Sequence, residues 1–376
     1  MVNVDNLIRE FSELVSIDSL SLHERTMADR LTQKLRACGL EVFEDDAGAQ
    51  LGGNAGNLIV RIPGNTDAPS FILMAHMDTV TPGLGKKAIL KDGVFHSDGT
   101  TVLGADNVGA LAVVLEVIRI LSAAQVPHGD LYVVFTIAEE IILEGAKHLD
   151  MSRVKGDCCL VLDCGGPTGH VAVRAPNLIS FAAEITGRAA HAGVEPEKGI
   201  NAIKIAGRAI SKIEVGRLDA ETTANFGLIS GGEAINTVCE KVKVEGEVRS
   251  HQPGRSETFI ENLTEVFEDE ATAVGGSAVV RTTLRMPRLH VGEDDPIRRY
   301  VVTGAEQSGV PVTFITTNGG SDGNIMSGRG IPTVVLAFGM TDPHTTRESI
   351  SVDDMAKCVR LVIETIRARG KASGTS

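Results

Sequence analysis

Five apolar runs that do not alternate with polar residues constrain this chain more than any other feature. GNLIVRIPG (Gly56–Gly64), PSFILMAHMD (Pro69–Asp78), DLYVVFTIA (Asp130–Ala138), GDCCLVLDCGG (Gly156–Gly166) and IPTVVLAFG (Ile331–Gly339) read as strands. A strand that is apolar throughout needs cover on both faces. Helix-like segments lie between or beside these runs: Leu7–Cys38, ending at Gly39, then Gly109–Ala124, then the closing DDMAKCVRLVIETIRARG (Asp353–Gly370). The expected fold is α/β, a sheet covered by helices on both faces.

The middle has another texture. NLISFAAEIT, TANFGLISGG and KVKVEGEVRS read as strands, and Ala202–Ile213 and FIENLTEVFEDEATAVG as helices. This predicts an inserted α+β domain over 177–287, with 1–176 and 288–376 forming one discontinuous domain. KASGTS at the end reads as a loose tail.

Bulk properties narrow the function. A formal charge of −13 argues against a nucleic-acid partner, since phosphates need a basic face, and it suits cation binding. With no Trp and two Tyr, a base-stacking platform is not expected. The six cysteines have neither zinc-finger nor disulfide-scaffold spacing and read as buried small hydrophobes. No apolar run has the length to span a bilayer, so no membrane is expected. The start, with Asp5, Glu10 and Glu13, reads as an amphipathic helix rather than a signal peptide, and a cytoplasmic location is the expectation.

The strand ends carry the chemistry. Leu131–Ile137 runs into two adjacent acids, Glu139 and Glu140, whose mutual repulsion is relieved either by solvent or by a cation between them. His76 and Asp78 lie two apart, on one face, at another strand end. Such ends are where open α/β sheets place their sites. Asp163 ends a third strand, and His344 follows a fifth. Asp106 precedes the long apolar helix, as either a cap or a ligand. The glycines before it do not make a phosphate loop. Each residue alone also has a plain reading: an ion pair, a cap or a solvated loop. Together, two histidines and three carboxylates can hold two divalent metals if one carboxylate bridges, leaving a shared position for water.

The ordered series HMD, GADN, AEE, D and H resembles the co-catalytic di-zinc metallopeptidases, the family of peptidase T, carboxypeptidase G, aminoacylase and succinyl-diaminopimelate desuccinylase. The strings SDGTTVLGADN, AHAGVEPEKGINA, ETTANFG and GGSDGN resemble its peptidase T-like branch, and the resemblance covers essentially the whole chain. It implies two divalent ions, with zinc the leading expectation and cobalt and manganese as alternatives. His76 and Asp163 would be terminal ligands of one, Glu140 and His344 of the other, and Asp106 the bridge. Asp78 would orient His76, and Glu139 would be the general base for the shared water. A cis peptide at Asp106–Asn107 is implied. So is a homodimer through the inserted domain, in which His191 reaches the active site of the other subunit and polarises the scissile carbonyl. Asn236 and Arg249 would hold polar groups of the substrate, with backbone donors from Gly319, Gly320 and Ser321.

The chain departs from the family at Val108, at Ile141–Ile142 where a glycine is common, and in RTTLRMPRLHVGEDD, which lacks an expected tyrosine. No ligand is lost. The implied reaction is hydrolysis of the amide bond of a short peptide, with removal of the N-terminal residue of a di- or tripeptide. The alternatives are an N-acyl amino acid deacylase or carboxypeptidase, and a catalytically silent peptide-binding member.

Overall fold

A computed structural model describes residues 2–124 and 126–372. Pro176–Arg288 forms one compact unit, and the chain on either side of it forms another.

In the flanking unit, the main sheet runs in the order Val42–Glu44, Leu58–Ile62, Leu131–Thr136, Phe71–His76, Cys159–Cys164, Thr333–Ala337, His170–Ala175, Leu289–His290, with Thr313–Thr316 also paired to His170–Ala175. Its centre is four parallel strands: 131–136, 71–76, 159–164 and 333–337. Their non-alternating sequences follow from double burial. Phe71, Leu73 and Ala75 pack on one face into a core with the helices Val4–Val15, Ala105–Ala123 and Val352–Ala372. Ile72 and Met74 pack on the other, with Val134, Val161 and Met326. The expected α/β sheet with cover on both faces is present.

The inserted unit is a five-stranded antiparallel sheet in the order Gly216–Asp219, Thr222–Gly231, Lys241–Ser250, Asn177–Thr186, Ser277–Met286. Here the strands do alternate. Val242, Val244 and Val248 point into a core made with the helices Ala202–Lys212 and Arg255–Thr272, and the other face is more open.

Two expectations change. The helical segment Leu7–Cys38 is two helices, Val4–Val15 and Arg25–Ala37. The intervening SIDSLSLHE is rich in serine and aspartate, which bond backbone in competition with a helix, and Leu22 is left-handed at φ 69°. The closing helix continues through Ala372, so Lys371 and Ala372 are helical; Ser373–Ser376 of the expected tail lie outside the described residues.

Candidate metal centre

Register brings the first pair together. Ile72 lies opposite Cys159 and Met74 opposite Val161 in adjacent parallel strands. Two residues further on, the same face presents His76 and Asp163, with His76 Nε2 3.5 Å from Asp163 Oδ1. Strand 131–136 ends beside them and leads into Ala138, left-handed at φ 51°, then Glu139 and Glu140. The turn after Glu140 folds back tightly, since a Cβ on Gly145 would sit 1.9 Å from the Ile137 carbonyl oxygen.

Asp106 faces both histidines. Its Oδ1 lies 3.0 Å from His76 Nε2 and its Oδ2 3.2 Å from His344 Nε2. The helix Ala105–Ala123 is non-helical at Asp106 and Asn107, and the Asp106–Asn107 peptide is cis. Asp106 is therefore neither a simple cap nor a regular helical residue. Glu348 holds this turn by accepting from Gly104 N at 2.6 Å and Asp106 N at 2.8 Å. His344, at φ 61°, also lies 3.0 Å from Glu140 Oε2.

Asp78 is fully buried and organises the rest. It accepts from Glu139 N at 3.0 Å, from Glu140 N at 3.1 Å and from Ser21 Oγ at 2.6 Å. Its backbone oxygen lies 3.0 Å from His76 Nδ1, which turns Nε2 toward the carboxylates. Glu139 is 8% exposed and stands 4.0 Å from His76 Nε2, beyond hydrogen-bonding distance.

The electrostatics call for cations. Burial pushes Glu139 and Asp163 well above the usual carboxylate range, and the Asp163 charge adds to the effect on Glu139. Burial also raises Glu140. Burial opposes the charged form of Asp106 too, yet hydrogen bonds from His344 and His76 hold it below its usual range. His344 is raised to about 10 by its bonds to Asp106 and Glu140. Five acids thus crowd around two imidazoles, which substitute only partly for cations. Ligand atoms of His76, Asp106 and Glu140 lie within 4.8 Å of one another, as do those of His76, Glu139 and Asp163. Mixed imidazole and carboxylate donors suit zinc, cobalt or manganese, so the residues fit a divalent-metal site.

A cleft of about 200 Å³ opens over this cluster. Asp106, Glu139, Glu140, Asp163 and His344 line one end, and Gly319, Gly320 and Ser321 another. Ser321 caps the short helix Asp322–Gly328, and Gly319 and Gly320 are exposed.

The remaining residues singled out in the sequence lie in the inserted unit. His191 is exposed, and its Nδ1 accepts from Gly193 N at 3.2 Å. Asn236 is exposed on a loop, with its carbonyl bonded to Ala192 N. Arg249 is half-buried and paired with Glu247 at 2.8 Å.

Ser21, Glu24, Glu348 and Asp322 were not singled out individually in the sequence. Ser21 and Glu24 have the S-x-x-E spacing of a helix capping box, which conceals any other role. Asp322 sits inside the quoted GGSDGN. It is 1% exposed, accepts from Thr136 Oγ1, and is raised to about 6 by burial. Nothing local marks the Glu348 side chain, whose partners Gly104 and Asp106 are more than 240 positions away.

Among the known families and structures that this chain resembles are peptidases. Residues 173–274 match the M20 peptidase dimerisation domain, 57–184 match peptidase family M28, and 267–361 match the M42 glutamyl aminopeptidases. The chain is 39% identical to the uncharacterized protein YqjE of Bacillus subtilis, over 99% of this chain and 100% of that one. The crystal structure of aminopeptidase PepT from Bacillus cereus superposes with a TM-score of 0.90 at 41% identity, covering 98% of this chain and 99% of that one. A tripeptidase from Staphylococcus aureus gives 0.91 at 37%, covering 99% and 100%. On this identity and coverage, the chain belongs to the M20 family of metallopeptidases, in its peptidase T-like branch.

Proposed function

We propose that this chain is a di-metal aminopeptidase that removes the N-terminal residue of short peptides, tripeptides foremost. The similarity to an aminopeptidase and a tripeptidase supports the substrate class. The observation that carries the chemistry is Glu139, a buried carboxylate at the cleft that is held through its backbone and makes no hydrogen bond to the side chain of any of the metal ligands. That is what a general base requires.

His76 and Asp163 would hold one ion, Glu140 and His344 the other, and Asp106 both. Two divalent ions there, zinc by preference, would offset the crowded negative charge, polarise the scissile carbonyl and acidify the attacking water. Asp78 fixes the ring of His76 and, through the amides of Glu139 and Glu140, the direction of the acid pair. Glu139 takes a proton from the water as its oxygen bonds to the carbonyl carbon. It then gives that proton to the departing amine as the C–N bond breaks.

The family resemblance supports three further assignments. His191 serves the site of a second subunit, with the 177–287 domain as the dimerisation element. Asn236 and Arg249 hold the polar ends of the peptide, and Arg249 would exchange Glu247 for a substrate carboxylate. Gly319, Gly320 and Ser321 offer donors from the cleft wall. A cytoplasmic location accords with peptide turnover.

The test is a panel of tripeptides, dipeptides and N-acyl amino acids given to apoprotein titrated with zinc, cobalt or manganese. Cleavage of free-amine tripeptides that saturates near two metals per chain is expected. Cleavage of N-acyl amino acids alone would replace this reading with a deacylase. Two bound metals with no cleavage of any peptide would replace it with a silent binding protein.

A further inference from the structure

The segment that interrupts the first two helices, Ser16–Glu24, runs directly behind the metal centre. Thr79 N donates to Ser19 O at 2.8 Å, and Leu20 bridges to Thr79, so the segment is bound to the chain just beyond Asp78. Two of its side chains then reach inward. Ser21 Oγ donates to Asp78 Oδ2 at 2.6 Å. Glu24, 0% exposed, turns one oxygen to two amides, accepting from Leu22 N at 2.8 Å and Ala138 N at 3.0 Å.

Those two amides belong to unusual residues. Leu22 has φ 69° and Ala138 φ 51°, the left-handed region that residues with a Cβ rarely occupy. Ala138 immediately precedes Glu139. Its conformation sets the exit of strand Leu131–Thr136, and therefore whether the next two amides reach Asp78. A capping glutamate would have served its own helix with a solvent-facing side chain. Instead Glu24 caps nothing with its side chain and is buried against a turn more than a hundred positions away. Burying a carboxylate is costly, and its other oxygen has no hydrogen-bond partner. A fold needing only a stable loop gains little from that arrangement, whereas a site needing one backbone geometry gains rigidity.

We infer that Ser16–Glu24 belongs to the catalytic apparatus, Glu24 as the positioning residue that fixes Glu139 through the Ala138 amide, and Ser21 as the positioning residue that fixes Asp78 behind His76. The inference rests on the reading of Glu139 as general base and His76 as a ligand.

The test compares wild type, E24A, E24Q, E24D and S21A in two measurements. One is kcat and KM of the zinc-loaded enzyme on a tripeptide. The other is zinc affinity of each apoprotein by calorimetry. E24A is expected to lower kcat by about 10- to 100-fold, with KM and zinc affinity within about threefold of wild type. E24Q keeps an oxygen for the same two amides and should retain kcat within about threefold. S21A should weaken zinc binding by about tenfold, because Asp78 loses a donor. An E24A enzyme with wild-type kcat overturns the role of Glu24. So does an E24Q enzyme as damaged as E24A, since charge rather than amide positioning would then matter. Wild-type zinc affinity in S21A overturns the role of Ser21. Should E24A fail to fold, E24D replaces it, its carboxylate one methylene short of both amides and its kcat loss smaller but in the same direction. Should wild type not cleave tripeptides, the functional reading fails separately; the kcat comparison then moves to whichever panel substrate is cleaved, and the zinc comparison stands as it is.

Discussion

The two units of this chain handle their polar residues in opposite ways. In the flanking unit, His76, Asp78 and Glu139 are buried at the ends of parallel strands, tied to one another and to backbone, and Asp322 is buried at the start of a short helix against Thr136. In the inserted unit, His191 and Asn236 are exposed and Arg249 is half-buried, and the side chains of His191 and Arg249 bond only two positions away, to Gly193 and Glu247. Backbone strain divides the same way. All seven described non-glycine residues with left-handed φ lie in the flanking unit: Leu22, Asp92, Ala138, Ile142, Leu143, Asp342 and His344. In the inserted unit that region is occupied by glycines alone. Strain persists only where surrounding structure over-determines it. One unit therefore carries a preorganised cluster, and the other presents exposed or half-buried polar side chains held mainly by their near neighbours.

The largest effect expected from breaking this contrast is at the base. E139Q should lower kcat by about 10² to 10⁴-fold, the usual range for general acid–base catalysis. If Glu139 is the base and not a ligand, zinc stoichiometry by calorimetry should stay at two per chain. Loss of a metal in E139Q would make Glu139 a ligand beside His76 and Asp163, the other members of its cluster.

Next is the inserted unit. H191A should lower kcat by about 10²-fold if the imidazole stabilises the oxyanion, with zinc affinity unchanged. Mixing is sharper. An H191A subunit retains Glu139 and an E139Q subunit retains His191. If His191 serves the neighbour's site, a mixed dimer regains one working site, and a randomised mixture should recover about a quarter of wild-type activity. No recovery from the mixture would confine His191 to its own chain.

The same contrast explains what could be read from the sequence. Strand ends could be read because burial on both faces removes polar residues until a site begins, so His76, Asp163 and the acid pair stand out against apolar runs. Asp106 was ambiguous because an acid before a helix has a common structural use; the turn that resolves it depends on Glu348, far away in sequence. Ser21 and Glu24 were hidden by the opposite error. Their spacing fits a local capping box, and periodicity continued across them, so the break between the helices went unseen. A long-range bond from a residue with a good local explanation leaves no local signal.

A medium effect tests burial itself. Glu24 is raised from its ordinary 4.5 to about 7, first by burial and then by the charge of Asp78. A carboxyl raised in the folded state contributes stability that is fully present below pH 4.5 and is lost as pH rises through 7. The amount is on the order of 3 kcal/mol. Gln is neutral throughout, so apo E24Q should melt above wild type at pH 8 and close to it at pH 4. Equal midpoints at pH 8 would mean that solvent reaches Glu24 in the folded chain.

The smallest effect concerns Ile142, two residues past Glu140 and 37% exposed at φ 73°. A β-branched residue pays about 1–2 kcal/mol in this region. Glycine removes that cost and adds about 0.5–1 kcal/mol of unfolded-state entropy. I142G should therefore stabilise the apoprotein by up to about 1 kcal/mol, seen as a modest rise in thermal midpoint. Its kcat decides what the strain is for. Unchanged kcat would mark Ile142 as a strained residue that the site does not use. A lower kcat with higher stability would mean that the stiff turn from Glu139 to Leu143 holds the acid pair, and that the strain concentrated in this unit is part of how the site is built.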